Sequence, residues 1–314
     1  MTNRREFLKK AVLASAAFSM GLPKLGCTPA EEKPLFKISL AQWSVNRLHF
    51  SGELDNLDFP AETKRHGIDA VEYVNQFFMD KAEDRAYLSE LKQRCDDEGV
   101  TSVLIMCDNE GRLGASDENE RAQAVENHKK WVEAAKFLGC HSIRVNAYTD
   151  ISRSEDPDDF SNSVGYTSEG LRNLCEFADD HDINVIIENH GGFSSDANWL
   201  AAVIEQADHR RAGSLPDFGN FQIYRSEDRV VSFDSYEGTD ILMPSAKGVS
   251  LKPVVWDDSG NTYPLDYERM MNIVLSHGYH GYVGIEHGAQ GREWESIVEI
   301  RDILIDLEES LRNS

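Results

Sequence analysis

Residues 169–190 read EGLRNLCEFADDHDINVIIENH. The first part, Glu169–His181, is helix-forming, with Cys175 on an apolar stripe; the second, Ile183–Glu188, is a short apolar run. A helix followed at once by a fully buried type of strand is a fragment of a parallel β/α layer, since a strand apolar on both faces needs cover on both. The strand then ends in three polar residues, Glu188, Asn189 and His190.

The same unit recurs in both directions. Upstream, strands are expected at Phe36–Ala41, Ile68–Val74, Val100–Cys107 and His141–Asn146. Helices separate them at Asp58–Gly67, Ala82–Gly99 and Asp117–Gly139. Pro60 suits a first turn and Gly99 a helix end, while Leu88, Leu91 and Cys95 stack on one face. Downstream lie a helix at Asp196–Ala207 and a brief strand at Ala212–Pro216. Phe218–Pro244 lacks a period and reads as a long loop with one weak helix. Gly248–Lys252, Asp266–His277, Gly281–Glu286 and Glu293–Leu311 then give strand, helix, strand, helix. Eight strands in strict alternation with helices predict the α/β class and a (β/α)8 TIM barrel, a single domain over residues 35–314.

The chain begins differently. Arg4-Arg5-Glu6-Phe7-Leu8-Lys9-Lys10 precedes an apolar run, Ala11–Leu22, too short for an ordinary transmembrane helix. Residues 1–27 therefore read as a twin-arginine signal peptide, and Leu25-Gly26-Cys27 offers Cys27 as a lipoprotein anchor. Residues 28–34 read as a polar tether. The expected location is exported, periplasmic or lipid-anchored. The four remaining cysteines, Cys95, Cys107, Cys140 and Cys175, have no Cys-x-x-Cys spacing and read as free thiols. Removing residues 1–27 takes the net charge from −23 to −27, which repels polyphosphate backbones and favours small cations. Nucleic acid is thereby excluded as a partner, and membrane contact is confined to a lipid on Cys27.

Catalytic groups of such barrels sit where strands end. Here those ends carry Glu72, Arg144 with Asn146, Glu188-Asn189-His190, Asp217-Phe218-Gly219-Asn220, Ser250 with Lys252, and Glu286-His287. Period-two alternation puts Arg144 and Asn146 on one side, Ser250 and Lys252 likewise, and Gly284 with Glu286. Carboxylates converging on one mouth repel unless a cation or protons sit among them. Oxygen donors suit Mg²⁺, Mn²⁺ or Ca²⁺, and an added imidazole would admit Zn²⁺ or Co²⁺. The alternative is that the acids pair with Lys252 and Arg144 as buried salt bridges. Trp43 reads as an apolar wall, His128 as a core histidine, and His287 as structural because it alternates away from Glu286.

The motifs Ile187-Glu188-Asn189-His190, Asp217-Phe218-Gly219-Asn220 and Gly284-Ile285-Glu286 resemble the xylose-isomerase-like barrel superfamily of sugar (phosphate) isomerases and epimerases. The likeness runs from about Phe36 to Leu311 and is closest to exported members, with Leu104-Ile105-Met106 and Val249-Ser250-Leu251-Lys252. It implies one divalent metal ion (Mn²⁺, Mg²⁺, Co²⁺ or Zn²⁺) held by Glu188, Asp217 and Glu286. The family's strand-seven motif is His-x-Lys-Asp, whereas this chain reads Ser250-Leu251-Lys252-Pro253, and Asn220 replaces a frequent histidine.

The implied activity is a metal-dependent sugar isomerase or epimerase working by proton abstraction beside a carbonyl, through a metal-held enediolate. Glu188 and Glu286 would be acid and base as well as ligands, and Lys252 would polarise an oxygen. Glu72, Arg144, Asn146, His190 and Trp43 are the expected substrate contacts. Two alternatives stay open: a lyase on 3-keto-glycosides or keto-sugars, and a non-catalytic exported sugar-binding protein. A base-excision endonuclease of similar fold is disfavoured by the acidic charge. Homo-oligomerisation is left open.

Overall fold

The computed structural model describes residues 33–153 and 157–313. The expected signal peptide, Cys27 and all but the last two residues of the tether lie outside the described residues. Among the described residues no helix is long and apolar enough to cross a membrane.

Eight parallel strands form the sheet: β1 (Lys37–Ala41), β2 (Ala70–Val74), β3 (Thr101–Cys107), β4 (Ser142–Val145), β5 (Asn184–Glu188), β6 (Ala212–Leu215), β7 (Val249–Leu251) and β8 (Tyr282–Ile285). They are hydrogen-bonded in the order β6-β5-β4-β3-β2-β1-β8-β7. The remaining seam, β6 to β7, is joined by parallel bridges at Ser214–Ala246 and Asp217–Ser250. The expected (β/α)8 barrel is the observed one.

The main helices following the strands are α1 (Phe59–Arg65), α2 (Arg85–Glu98), α3 (Glu118–Leu138), α4 (Pro157–Asp180), α5 (Ala197–Ala207), α6 (Ser235–Leu242), α7 (Tyr267–Ser276) and α8 (Glu293–Asn313). Several of their starts are written in aspartates. Asp84 accepts from the Ala86 and Tyr87 N–H groups, Asp117 from Glu120, and Asp196 from Asn198 and Trp199, satisfying donors that a helix start leaves free. Asp58 precedes α1 without capping it and pairs with Arg94 instead. Gly99 and Gly139 end α2 and α3 in the left-handed conformation, where a side chain would be strained.

Residues alternate cleanly between two cores. Ile143, Val145, Val185 and Ile187 face the helices, while Ala70, Val74, Met106, Ile186 and Leu215 fill the barrel interior. All four described cysteines are free and buried.

Two expectations need correction. Helix α4 starts at Pro157, twelve residues before the expected Glu169. Of the residues its first half buries, Ser163, Thr167 and Ser168 are small and polar and Val164 alone is apolar, so no hydrophobic stripe marks it. That face instead allows close approach: Ser163 accepts from Trp199 Nε1 at 2.9 Å and Ser168 Oγ donates to the Val203 carbonyl at 3.1 Å. The supposed loop Phe218–Pro244 holds an antiparallel hairpin, Gln222–Arg225 with Val230–Ser232, before α6. A second hairpin, Val254–Trp256 with Thr262–Pro264, follows β7.

The tight packing of α4 is testable within one helix. A Cβ on Gly170 would lie 2.0 Å from the Leu113 carbonyl oxygen, whereas one on Gly165 meets only Gln206 Nε2 at 3.9 Å. Gly170→Ala is expected to lower unfolding free energy by about 1–3 kcal/mol, and Gly165→Ala to raise it by about 0.5–1 kcal/mol. Urea denaturation of the two variants checks this; equal effects would refute the packing assigned to α4.

Candidate metal and substrate site

At the C-terminal end of the barrel, Glu188, Asp217 and Glu286 meet, with one carboxylate oxygen of each lying within 4.8 Å of the others. Glu188 and Asp217 are fully buried and Glu286 is 8% exposed. Each is fixed by neighbours. The Asn189 side chain clamps Asp217 reciprocally, accepting from its N–H at 2.7 Å and donating to its carbonyl at 2.8 Å. The Gly219 N–H donates to Asp217 Oδ1 at 2.8 Å. Gly219 itself is required there, since a Cβ would stand 2.7 Å from Lys252 Cβ and the Val254 carbonyl oxygen. Asn220 donates to Glu188 Oε1 and Ser250 to Glu286 Oε2, at 2.8 and 2.9 Å.

Two cations are shared among four acids. Lys252 Nζ bridges Asp217 and Glu286, the latter at 2.8 Å. Arg144 lies between Asp108, which accepts from Nη1 at 2.8 Å, and Glu188, whose Oε2 is 2.8 Å from Nε without hydrogen-bond alignment. The salt-bridge alternative thus describes real pairs, but it leaves four carboxylates facing two cations. Burial pushes Glu188 up against the pull of Arg144, and pushes Asp217 up to about 7 despite Lys252. At Glu286 burial acts the same way, but Lys252 and Arg144 outweigh it and the carboxyl is held low. Lys252 stays protonated: burial opposes its charge, but Asp217 and Glu286 more than offset this.

The donor set fits a divalent cation. Three buried carboxylates converge with the Ser250 hydroxyl beside them, and Glu188 Oε2 has no hydrogen bond of its own. Hard oxygen donors of this kind suit small divalent ions. A Lys252 ammonium on two of the three carboxylates shares the same negative charge, so an ion held by all three would have to displace it or sit beside it.

Two adjoining cavities open above the carboxylates. One of 360 Å³ is lined by Trp43, Gly219, Lys252, Trp256, Glu286 and His287 among others; the second, of 210 Å³, by Trp43, Gln76, Asp108, Arg144, His190 and Glu286 among others. Asn146 also lines the second. Trp43 forms the shared wall, stacked on Phe77 with centroids 6.2 Å apart. His190 Nδ1 lies 3.1 Å from the Tyr148 hydroxyl, and burial followed by Arg144 lowers its affinity for a proton.

The expected site residues, Glu72 apart, therefore converge on one mouth. Glu72 does not join them: β2 runs on to Val74, and Glu72 lies within the barrel, 2% exposed, accepting from Ser39 Oγ at 2.6 Å. A substrate contact expected at Glu72 is corrected to a position below the mouth. Burial raises its carboxyl to about 8. Gly284 makes room for it, since a Cβ there would lie 2.6 Å from both carboxyl oxygens. His287, read as structural, does donate its N–H to Ser44 Oγ, yet it edges the larger cavity. His128 is a core histidine as expected, with Nδ1 2.7 Å from the Ala124 carbonyl.

Asp108 was missed. It directly follows Cys107, the last residue of β3, so the strand-end rule applied to that strand selects it. Asp108 accepts from Arg144, Asn146 at 2.7 Å and Gln76 at 2.9 Å. Burial opposes its charge, but those donors, Arg144 foremost, hold the carboxyl down to about 2.

The profile of the family described as xylose isomerase-like TIM barrel matches residues 60–305. No curated protein matches the sequence. Among solved structures, a xylose isomerase domain protein from Planctomyces limnophilus is 16% identical, covering 90% of this chain and 100% of its own, with a TM-score of 0.66. A xylose isomerase-like TIM barrel protein from Mycobacterium smegmatis, in complex with magnesium, is 15% identical over 88% of this chain and 97% of its own, TM-score 0.66. The 3-keto-D-glucoside 4-epimerase of E. coli is 17% identical over 78% of this chain and 94% of its own, TM-score 0.59. At these identities the likeness is one of fold.

A carboxyl whose folded value lies below its unfolded one stabilises above the unfolded value and loses that contribution as pH falls through the folded one. Asp108→Asn is therefore expected to lower unfolding free energy by about 2 kcal/mol at pH 7, with the gap to wild type closing between about pH 4 and pH 2. Urea titrations across that range check it; a gap independent of pH would contradict the Asp108–Arg144 assignment.

Proposed function

The chain belongs to the xylose isomerase-like TIM barrel family, and on that premise we propose that it is a divalent-metal-dependent sugar isomerase or epimerase that moves a proton at the carbon beside a carbonyl. The observation that carries the reading is the buried meeting of Glu188, Asp217 and Glu286 beneath a cavity walled by Trp43. A divalent ion held by these three would supply positive charge to a carbonyl oxygen and its neighbouring hydroxyl. A structure of this fold in complex with magnesium supports the choice of a hard ion, and the 3-keto-glucoside epimerase supports the reaction class.

The chain's own groups supply the rest. Glu286 reaches both cavities, so it suits the base that takes the proton. Glu188, more deeply buried at the end of β5, suits the group that returns one from the other side. Lys252 faces the larger cavity and provides a fixed positive charge for an oxygen that gains negative charge. Arg144 and Asn146, already oriented by Asp108, and a neutral His190 would hold hydroxyls. Trp43 offers an apolar face to a sugar ring. Export through residues 1–27 belongs to the same proposal, and would place the reaction outside the cytoplasm.

Two measurements test this. Elemental analysis should find one divalent ion per chain in the wild type and loss of it in Asp217→Ala; no ion after reconstitution with Mn²⁺ would move a non-catalytic sugar-binding role to the front. In deuterated water, keto-sugars should exchange a proton at carbon, and Glu286→Gln should slow that exchange by about 10²–10⁴-fold with the fold retained. Near-normal exchange in the variant would remove Glu286 from the chemistry.

A further inference from the structure

A cavity of 740 Å³ outside the mouth lies between the Gln222–Arg225/Val230–Ser232 hairpin and the loops that follow β4 and β5. It is continuous with the site in sequence and in space. Ala147 follows Asn146 and Gly191 follows His190, so the groove begins one residue beyond two groups of the mouth. Tyr148 lines both spaces, and its hydroxyl is the one that meets His190.

The walls are aromatic and aliphatic: Tyr148, Phe193 and Tyr224, with Ile223 and Val231. Tyr148 and Tyr224 are 43% and 54% exposed, leaving ring surface open to a ligand. The floor is unfilled at Gly191 and Gly192, where an added Cβ would meet nothing within 4 Å. Arg153 is committed to Asp196 and lies over the Phe193 ring. Arg229, also on the wall, has no ion-pair partner among the described residues.

We propose that this groove binds a planar aromatic aglycone still joined to the sugar in the mouth, so that an aryl glycoside of a keto-sugar is preferred as substrate over the free keto-sugar. The inference rests on the sugar reading of the mouth and goes beyond it. A sugar ring, polar at every carbon, is served by the mouth, with its charged groups and the walls of Trp43 and Trp256. The groove adds the exposed rings of Tyr148 and Tyr224 to polar edges at Thr149, Ser152, Arg153 and Arg229, and it is the rings that a flat aromatic group recognises through stacking. A guanidinium without an acid partner adds attraction for the face of an aromatic ring or for a phenolic oxygen.

Phenyl β-D-glucoside, methyl β-D-glucoside and cellobiose, titrated calorimetrically into the full chain, separate the cases. The phenyl compound should bind at least about tenfold more tightly than the methyl one. Tyr224→Ala, and separately Val231→Trp to fill the groove, should abolish most of that advantage and leave methyl glucoside binding unchanged. Equal affinities, no binding of the phenyl compound, an advantage that survives both variants, or cellobiose outranking the phenyl compound would each overturn the aromatic assignment. Proton exchange of free keto-sugars tests the mouth separately. Exchange without a phenyl advantage sinks the groove alone, and a groove-dependent phenyl advantage without exchange sinks the reaction alone.

Discussion

Two cations, each shared between two acids, hold the working end of this barrel together. Arg144 stands between Asp108 and Glu188, and Lys252 between Asp217 and Glu286. A buried charge without a partner costs several kcal/mol even after relaxation, so removing either cation would leave two carboxylates stranded. The pairs also span the ends of β3, β4 and β5 on one side and β6, β7 and β8 on the other. Slipping any of these strands by one residue would turn its charged group toward the helices. The electrostatics and the register of the barrel are thus one constraint.

Beneath that layer the barrel changes character. Ser39, Glu72 and Gly284 make a small polar level among Ala70, Val74, Met106 and Ile186. With its carboxyl raised to about 8, Glu72 is mostly neutral at physiological pH and adds little charge below the three acids above it. Its second oxygen is buried without a hydrogen bond, a cost that a neutral carboxyl bears far better than a carboxylate. The level therefore supports the mouth by filling space rather than by contributing charge.

The eight-fold alternation was readable because buried strands and capped helices leave strong local signals, such as Val100–Cys107 and the Asp117-to-Gly139 frame. The residues at the mouth were readable for a related reason, since a charged side chain directly after an apolar strand marks where the chain leaves the core. What escaped was structure with no apolar signature. The front half of α4 packs mainly through serine and threonine, and the two hairpins are short and partly exposed. Glu72 was misplaced because an acid inside a strand looks the same in sequence whether it points into a layer of the core or into a mouth. His287 shows the limit of period-two reasoning one residue beyond a strand, where the chain has already turned.

The seam between β6 and β7 closes with bridges at only two positions among the described residues, one of them Asp217 with Ser250. The Lys252–Asp217 pair crosses that same seam. Positive charge placed among these acids is therefore also a clasp on the cylinder, and anything that binds the closed form alone stabilises it by mass action. Occupancy of the mouth by such a ligand and resistance to unfolding would then be two readings of a single equilibrium.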